Sequence, residues 1–313
     1  MNNNVNEIIL TIGIPVYNGE KFIRELLDSI IIPVELKNKV EILVSDNCST
    51  DSTIEIVKNF PNVVIFKNDK NIGYDENAFK IYNVARGTYV WTIGSDDVLI
   101  GNNTIPFIVD LLTNNNEVGV VQVGGNNVIK NESAIYKYDE KFFFDSEFKS
   151  GFASSNIVNR LYWLDANPKE FFGSGWVHFG VILKIVINSN CIIIRDKLVD
   201  ENPNYSHLNK TWDVNGSSLR IMLELVKIFQ NSRKYGYSKV FERKSKLLIK
   251  SNYPKEIIKS KAKGLKISLN LIFDFIYCYK LFPSFWIVDL PVLLSPRWLC
   301  RIIYAKKDFL KSK

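Results

Sequence analysis

Several residue types and motifs that direct a functional assignment are scarce or missing in this sequence of 313 residues. The four cysteines lie far apart and form no C-x-x-C pair, which argues against a zinc site and a disulfide framework and fits a reducing compartment. No G-x-G-x-x-G follows the first apolar run, so a dinucleotide-dependent dehydrogenase is disfavoured. A basic, glycine-rich phosphate loop is missing from the same place, which disfavours a nucleotidyltransferase.

Long apolar runs are missing as well. The N-terminal residues carry neither the basic region nor the apolar stretch of a signal peptide, and we therefore expect a cytoplasmic protein. The best candidate for a membrane-spanning segment is interrupted by charged residues and prolines, namely Asp274, Lys280, Pro283, Asp289 and Pro291. Because a spanning helix needs roughly 18 apolar residues in a row, we expect the chain to touch a membrane without crossing it.

The apolar content is high enough for a large folded domain. Hydrophobic residues make up 46% of the chain and aromatic residues 13%, which excludes a disordered protein. Lysine and arginine (40) exceed aspartate and glutamate (33), and the excess is concentrated at 233–250, 255–266 and 301–313. We expect this basic and aromatic end to contact a membrane surface rather than nucleic acid, because no nucleic-acid-binding motif accompanies it. The alternative is that its helices pack on the rest of the protein and leave their lysines in solvent.

Short apolar runs alternate with amphipathic stretches through the first hundred residues. The runs predict strands over 8–14, 40–44, 63–66 and 89–93, and the stretches between them predict helices over 19–31, 52–60 and 75–85. This order predicts an α/β fold with a mixed, mostly parallel sheet flanked by helices. Ser52-Thr-Ile-Glu55 has the form of a capping box. Further on, the pattern predicts a helix over 105–112, strands over 118–123, 127–130 and 134–138, a helix over 213–230 and helices from 257 to the end.

Polar, turn-rich segments follow each of the four strands: Pro15-Val-Tyr-Asn18, Ser45-Asp-Asn-Cys-Ser-Thr-Asp51, Asn68-Asp-Lys-Asn-Ile-Gly73 and Gly94-Ser-Asp-Asp97. Ligands of open sheets bind outside the carboxyl ends of the strands, so we expect these segments to converge on one site. Mg²⁺ and Mn²⁺ prefer carboxylate oxygens, and Asp96 with Asp97 could hold a cation that neutralises the pyrophosphate of a nucleotide. The alternative for this pair is capping of the next helix.

A flat slot for a nucleobase is the second feature of this edge. The ring of Tyr17 and the fixed backbone of Pro15 could form its walls, and Asp46 could accept hydrogen bonds from the edge of the base. Taken alone, Asp46 and Asp51 are also typical of Asx turns, in which an aspartate side chain binds the backbone two residues on.

These motifs, in this order and strand context, resemble family 2 glycosyltransferases with the GT-A fold over roughly residues 8–125. The variants Asn71-Ile-Gly-Tyr-Asp-Glu-Asn77 and Gly94-Ser-Asp-Asp97 look like the branch that contains abequosyltransferase-like enzymes of bacterial O-antigen and capsule synthesis. The resemblance implies a Rossmann-like nucleotide-diphospho-sugar transferase. The implied reaction is metal-assisted and inverting, and it transfers a hexosyl or deoxyhexosyl group.

The resemblance also implies a role for each matching residue. The nucleobase would contact Pro15, Tyr17 and Asp46, the ribose would contact Glu20 and Asp96, and Asp97 would bind the Mn²⁺ or Mg²⁺ that bridges the pyrophosphate. The rest of the donor pocket would comprise Asn18, Asn71, Gly73 and Asn77. The commoner family motif has another aspartate where this chain has Ser95, which leaves the choice of metal open.

Inverting transfer also needs a general base that takes the proton of the acceptor hydroxyl. Family members commonly carry it in a Glu-Asp pair after the metal motif, but the segment 171–180 of this chain contains no such pair. His178 is the candidate that replaces it, because a neutral imidazole accepts a proton near neutral pH, and Trp176 could stack on an acceptor sugar. A buried core position is the alternative for His178, and Asp165 and Glu170 are alternative bases.

The expected organisation has three parts. Residues 1–100 would form the nucleotide-sugar-binding half, 101–210 the acceptor-binding half, and 211–313 a helical, basic and aromatic region that associates with the inner face of the cell membrane. The acceptor would be a glycan or a polyisoprenyl-linked glycan. The alternative functions are a non-catalytic nucleotide- or glycan-binding protein on the same fold and a nucleotidyltransferase.

Overall fold

The protein is described from a computed structural model, which covers residues 8–124, 134–204 and 217–311, with side chains to residue 306. The chain divides into two compact units, residues 1–207 and 208–313. The strand predicted over 127–130 and the start of the helix predicted over 213–230 lie outside the described residues.

The first unit alternates strands and helices. Its strands are β1 (Leu10–Val16), β2 (Val40–Asp46), β3 (Val63–Lys67), β4 (Tyr89–Thr92), β5 (Asp97–Leu99), β6 (Val118–Gly124), β7 (Ala134–Lys137), β8 (Asn156–Asn159), β9 (Asn190–Lys197) and β10 (Val199–Glu201). Its α-helices are α1 (Ile23–Ser29), α2 (Thr53–Val57), α3 (Tyr74–Val84), α4 (Thr104–Asn114), α5 (Lys141–Asp145), α6 (Arg160–Asp165) and α7 (Val177–Val186). Short 3₁₀ turns lie at Val34–Leu36, Lys149–Gly151, Ala153–Ser155 and Pro168–Phe171.

Eight of these strands form one mixed sheet in the order β3-β2-β1-β4-β8-β6-β9-β7. β1 pairs in parallel with β2 and β4, β2 with β3, and β6 with β9, whereas β7 and β8 run antiparallel to their neighbours. The predicted mixed, mostly parallel sheet is confirmed. Because the chain returns from β3 at one edge to β4 beside β1, the strand order reverses between β1 and β4, which is where such sheets bind ligands.

Helices cover both faces of this sheet. On one face, Ile12 of β1 lies in a buried cluster with Leu26 of α1 and Ile108 of α4. On the other face, α3 approaches β1 so closely that a Cβ atom at Gly13 would lie 2.3 Å from Cγ2 of Ile81. Only glycine fits at this contact. The close approach holds α3 against the sheet, with the first turn of α3 at the carboxyl edge of the strands.

Three local features depart from the sequence-based expectation. β1 continues through Pro15 and Val16, because both pair with the last residues of β2. β8 lies in a stretch whose sequence shows no period, since a four-residue strand is too short to establish one. The expected capping box does not form: the Ser52 side chain makes no cap hydrogen bond, and Asp51 Oδ1 accepts the Thr53 N–H at 3.1 Å.

The second unit is helical in its described part, as predicted. It contains α8 (Ser218–Asn231), a 3₁₀ turn (Ser232–Tyr235), α9 (Lys239–Lys250), α10 (Tyr253–Ala262), α11 (Leu269–Tyr279), a π-helical turn (Phe285–Asp289), α12 (Leu290–Leu294) and α13 (Arg297–Lys311). Its core includes Phe241, Tyr253, Phe275 and Tyr279. None of the helices within the described residues has the length and apolarity needed to cross a bilayer.

Candidate functional site

The loops that follow β1 and β2 are joined by hydrogen bonds. The backbone N–H of Asn18 donates to Ser49 Oγ at 2.9 Å, and Asn18 Oδ1 accepts the N–H of Thr50 at 2.9 Å. Glu20 Oε2 accepts the N–H of Ser52 at 3.1 Å. Asn18 has a φ of 52°, a left-handed conformation that asparagine tolerates better than most residues. Asn18 and Glu20, two of the predicted donor-binding residues, therefore shape this edge of the sheet.

Asp51 completes the junction between the two loops. Its Oδ2 accepts the N–H of Glu20 at 3.1 Å, and its Oδ1 accepts from the backbone N–H and the hydroxyl of Thr53. Burial would raise the pKa of this carboxyl, but these hydrogen bonds lower it overall. Asp51 thus has a structural role and forms the Asx turn that its sequence position suggested.

The predicted nucleobase slot has one accessible residue and one buried residue. Tyr17 is 49% exposed, so its ring is open to a stacking partner. Asp46, the last residue of β2, is fully buried, and both of its carboxylate oxygens accept the N–H of Ser49, at 3.1 and 3.2 Å. The structure therefore shows Asp46 holding the loop after β2 through a backbone N–H three residues on, one residue further than in an Asx turn.

An asparagine network, which sequence reasoning missed, supports the donor-pocket segment after β3. Asn47 donates to Asn71 Oδ1 at 2.9 Å and to the Gly73 carbonyl at 3.2 Å, and it accepts the Ile72 N–H at 2.9 Å. Gly73 has a φ of 82° and stands directly before α3, a conformation that strains other residues. Asn47 therefore fixes the path of the whole turn from 71 to 73.

The same network reaches back to the strands through Asn77, which is buried in the first turns of α3. Asn77 Oδ1 accepts from Ser45 Oγ at 2.7 Å and from Asn68 Nδ2 at 2.8 Å, and its Nδ2 donates to the Ser45 carbonyl at 3.0 Å. Asn77 thus supports the pocket from the protein interior, whereas Asn71 and Gly73 are exposed to solvent.

The two aspartates after β4 converge at the position where the strand order reverses. A Cβ atom at Gly94 would lie 2.7 Å from Asp97 Oδ2 and 3.1 Å from Asp96 Oδ1, so both carboxylates approach the same side of Gly94. Asp96 is exposed, whereas Asp97 is 4% exposed and begins β5, opposite Glu201 of β10. The alternative that this pair caps a following helix is wrong, because β5 comes next and α4 begins only at Thr104.

Ser154 holds the buried aspartate in place. Its hydroxyl donates to Asp97 Oδ2 and accepts the N–H of Gly94 at 2.8 Å, and its carbonyl accepts the indole N–H of Trp91 at 2.7 Å. A cation at this point would need further oxygen ligands from a bound phosphate, since no cluster of three His, Cys, Asp or Glu side chains is formed within the described residues. The two carboxylates fit the usual protein share of a magnesium site, in which one or two carboxylates act together with phosphate oxygens.

His178 lies in the first turn of α7 and is tied to the same segment that carries Ser154. Its Nε2 lies 3.2 Å from the carbonyl oxygen of Gly151, so this nitrogen carries the proton, and Nδ1 faces the Tyr74 hydroxyl at 3.5 Å. Burial lowers the pKa of His178 to about 4, which the hydrogen bond to Gly151 offsets only in part. The imidazole is therefore neutral near pH 7, with its lone pair directed toward an exposed tyrosine.

Asp75 is a further residue that sequence reasoning missed. It is buried in the first turn of α3, where Oδ2 accepts the N–H of Gly175 at 2.8 Å and Oδ1 accepts the N–H of Val177 at 3.2 Å. Burial raises the pKa of Asp75, and the hydrogen bonds from these backbone groups oppose the rise. Asp75 thereby holds the turn that positions Trp176 and His178.

The remaining candidates differ in accessibility. Trp176 is half-buried, and its ring centroid lies 5.7 Å from that of His178. Glu170, an alternative base, forms an ion pair with Lys184 at 2.6 Å. A cavity of about 440 Å³ at the amino ends of β2 and β3 contains none of the candidate residues.

The arrangement combines three chemical capabilities at the carboxyl edge of the sheet. Two carboxylates can bind a divalent cation, the half-exposed ring of Tyr17 can stack on a flat group, and a neutral imidazole stands next to a tryptophan. The segment Lys149–Ser155 contacts both Asp97 and His178, which links the acidic pair to the α7 turn. No sequence motif indicated this segment.

Comparison with known proteins finds sequence relatives over part of the chain. Residues 11–167, half of the chain, match the model for "Glycosyl transferase family 2". A segment of 98 residues is 37% identical to abequosyltransferase RfbV of Salmonella typhimurium, covering 29% of each chain. A segment of 90 residues is 36% identical to the poly(ribitol-phosphate) β-N-acetylglucosaminyltransferase TarS of Staphylococcus aureus, covering 28% of this chain and 16% of that one. The chain thus spans less than a third of the length of these relatives.

Solved structures show the same fold over most of the chain. Residues 1–349 of S. aureus TarS superimpose with a TM-score of 0.58 at 18% identity, covering 87% of this chain and 81% of that one. A mannosyltransferase from Pyrobaculum calidifontis in complex with GDP-mannose and Mn²⁺ also gives a TM-score of 0.58, at 17% identity over 94% of this chain and 86% of that one. The predicted GT-A architecture is confirmed.

Proposed function

Because the chain belongs to glycosyltransferase family 2 and is a nucleotide-sugar glycosyltransferase, we propose that it moves a hexosyl or deoxyhexosyl group, with inversion, from a nucleotide diphosphate sugar to a glycan or a polyisoprenyl-linked glycan. The observation that carries this proposal is the convergence of Asp96 and Asp97 on one side of Gly94, where the strand order reverses. Residues 1–100 would provide most of the donor pocket, and 101–210 the acceptor side.

In this proposal the donor lies along the carboxyl ends of β1, β2 and β4. The nucleobase stacks on Tyr17 beside Pro15, and the ribose reaches Glu20 and Asp96. Asp46 supports the base pocket through the loop it holds. The donor segment from Asn71 to Gly73 closes the pocket on the side of α3, where the amide network keeps its backbone in place.

Asp97, with Asp96 beside it, would hold Mn²⁺ or Mg²⁺. When bound there, the cation would supply positive charge that stabilises the leaving nucleoside diphosphate. Asp97 is prepared for this task because the Ser154 hydroxyl orients its carboxylate. The Mn²⁺ in the mannosyltransferase complex supports the choice of a divalent cation.

His178 would act on the acceptor side, where Trp176 can stack on a sugar. Its neutral state suits a proton acceptor, and its lowered pKa makes it a weaker base than an ordinary imidazole. Replacing His178 by Ala should lower kcat by about 10²- to 10⁴-fold if His178 is the base. A loss below about tenfold would place His178 in a purely structural role, with Tyr74 and Asp75.

The wider setting is part of the same proposal. The likeness to abequosyltransferase RfbV over 98 residues supports a role in bacterial O-antigen or capsule synthesis. A polyisoprenyl-linked acceptor would be met at the cytoplasmic face of the cell membrane, so the protein would bind that surface peripherally through residues 211–313.

A donor screen tests the proposal. Purified protein is incubated with Mn²⁺ or Mg²⁺ and a panel of nucleotide sugars, with and without bacterial lipid-linked acceptors, and the release of nucleoside diphosphate is measured. We expect metal-dependent release from one class of donor. Binding of a nucleotide without release under every acceptor condition would favour a non-catalytic protein on the same fold, and the absence of any nucleotide binding would contradict the donor pocket.

A further inference from the structure

The helices at the end of the second unit are apolar on two opposite sides. In α11, the packed side consists of Leu271, Phe275 and Cys278, all of which are buried. The other side presents Leu269, Phe273 and Tyr277, which are 72%, 63% and 60% exposed. Residues four apart lie on one side of a helix, so these three form a continuous exposed stripe.

The elements that follow repeat this arrangement. In α13, Cys300 is buried, whereas Trp298 and Ile302, one turn apart, are 63% and 48% exposed. Between the two helices, Leu281, Ile287 and Leu294 are 85%, 75% and 61% exposed. We call these eight residues the outer apolar face: Leu269, Phe273, Tyr277, Leu281, Ile287, Leu294, Trp298 and Ile302. So much apolar surface is unusual on a protein that contacts only water.

The charges beside this face are mostly positive. Between residues 269 and 306 the sequence has two acids: Asp274, which is half-buried and forms an ion pair with Lys227, and Asp289, which is 1% exposed and forms an ion pair with Lys250. The exposed charged side chains of the same stretch are Lys280, Arg301 and Lys306. The exposed charge around the outer apolar face is therefore predominantly basic, which complements an anionic partner.

We propose that the outer apolar face is a docking surface for an anionic lipid bilayer. Helices that lie in a bilayer interface combine a wide apolar side, aromatic residues and flanking lysine or arginine, and they bury the apolar side about 5–10 Å into the boundary between headgroups and acyl chains. A second copy of this chain would bring like charges together, which disfavours self-association as the use of the surface. The inference rests on the proposed function in one respect: a lipid-linked acceptor would be met at this surface.

Vesicle binding by the full-length protein tests this inference. The vesicles consist of phosphatidylcholine alone or of phosphatidylcholine mixed with phosphatidylglycerol, and the bound fraction is measured by co-sedimentation at low and high salt. The test variant is Phe273→Glu with Ile287→Glu and Trp298→Glu; because all three side chains are more than half exposed or nearly so in their helices, we expect the folded protein to accept the charges. The control is Val240→Glu, at a 57% exposed apolar residue of α9 outside the outer apolar face. Circular dichroism and thermal unfolding confirm that both variants fold.

We expect the wild-type protein to bind the anionic vesicles and to lose affinity with salt. The triple variant should bind at least about a hundredfold more weakly, because it loses apolar burial and gains three like charges against the lipid, whereas Val240→Glu should match the wild type. Equal binding to both kinds of vesicle, no binding by the wild type, or an equal loss in the control would overturn the inference. So would a wild-type dimer that the triple variant abolishes without any vesicle binding.

Donor turnover is measured on the same samples without vesicles. Because all the candidate site residues lie in the first unit, failure of the lipid inference with intact turnover is distinguished from failure of the proposed function.

Discussion

The carboxylate of Asp75 accepts a hydrogen bond of 2.8 Å from the backbone N–H of Gly175, which lies 100 residues later in the chain. Its second oxygen accepts the N–H of Val177 at 3.2 Å. These two bonds join the first turn of α3, next to the donor-pocket segment, to the turn that carries Trp176 and His178. The predicted donor and acceptor residues are thus connected through one buried carboxylate.

Replacement of Asp75 by Asn should weaken this connection. The amide places an NH₂ group where an oxygen accepted a backbone N–H, and a buried donor without an acceptor costs about 1–3 kcal/mol. We expect the free energy of unfolding to fall by about that amount, and kcat with acceptor to fall more than donor affinity. The control is Glu76→Gln, an exposed residue of the same helical turn. Matching losses in both variants would contradict the assignment.

The stability of the protein should depend on pH through His178. Its pKa is about 4 in the folded protein, against 6.5 ordinarily, because burial disfavours the charged imidazole. As the pH falls below 6.5, the unfolded chain binds a proton that the folded protein does not bind until about pH 4. The stability present above pH 6.5 is therefore lost on acidification, by about 2 kcal/mol at pH 5.

Chemical denaturation at several pH values isolates this contribution. His178→Gln removes the titrating group, so its free energy of unfolding should decrease less between pH 7 and pH 5 than that of the wild type. Both proteins retain every other acid and base, including His207, which makes the difference between the two profiles specific to His178. Parallel profiles would show that His178 is not buried in the neutral form.

Replacement of Asn47 by Ala should loosen the donor-pocket segment. Asn47 makes hydrogen bonds to Asn71, Ile72 and Gly73, and Ala leaves these groups without their partner. We expect a donor KM at least several-fold higher, with a smaller change in kcat. Asn59→Ala removes one exposed hydrogen bond to the Glu55 carbonyl and serves as the control. A donor KM unchanged by Asn47→Ala would mean that the 71–73 turn does not contact the donor.

The sequence predicted those parts of the fold that depend on local periodicity. β1 to β4 could be predicted because each is a short apolar run, and α3 and α4 because their sequences have a helical pattern. The acidic pair at residues 96 and 97 could be predicted because it directly follows a predicted strand, and ligands of such sheets bind at the carboxyl ends of the strands. The helical C-terminal region could also be predicted, because helical patterns are local in the sequence.

The parts that the sequence did not predict depend on contacts between distant residues. Asp75 looks like an ordinary acid in the first turn of a helix, and its partners Gly175 and Val177 are backbone groups that leave no sequence signal. Ser154 lies in an aperiodic stretch that joins the sheet only through a four-residue strand. Asp97 was predicted in a turn and instead begins β5, whose partner strand β10 lies about 100 residues away.

The central claim is that Asp97 holds the cation that makes the nucleoside diphosphate a leaving group, and a metal titration of an Asp97→Asn variant tests it most directly. Asn preserves the size of the side chain and can still accept a hydrogen bond from Ser154, but it removes the negative charge that binds the metal.

The control is Asp110→Asn on α4. Among the contacts described, the Asp110 carboxylate accepts only an exposed hydrogen bond from Asn114. Release of nucleoside diphosphate is followed as a function of Mn²⁺ concentration. We predict that Asp97→Asn lowers metal-dependent release by at least about a hundredfold while Asp110→Asn leaves it unchanged. Wild-type release by a folded Asp97→Asn protein at every Mn²⁺ concentration would contradict the account.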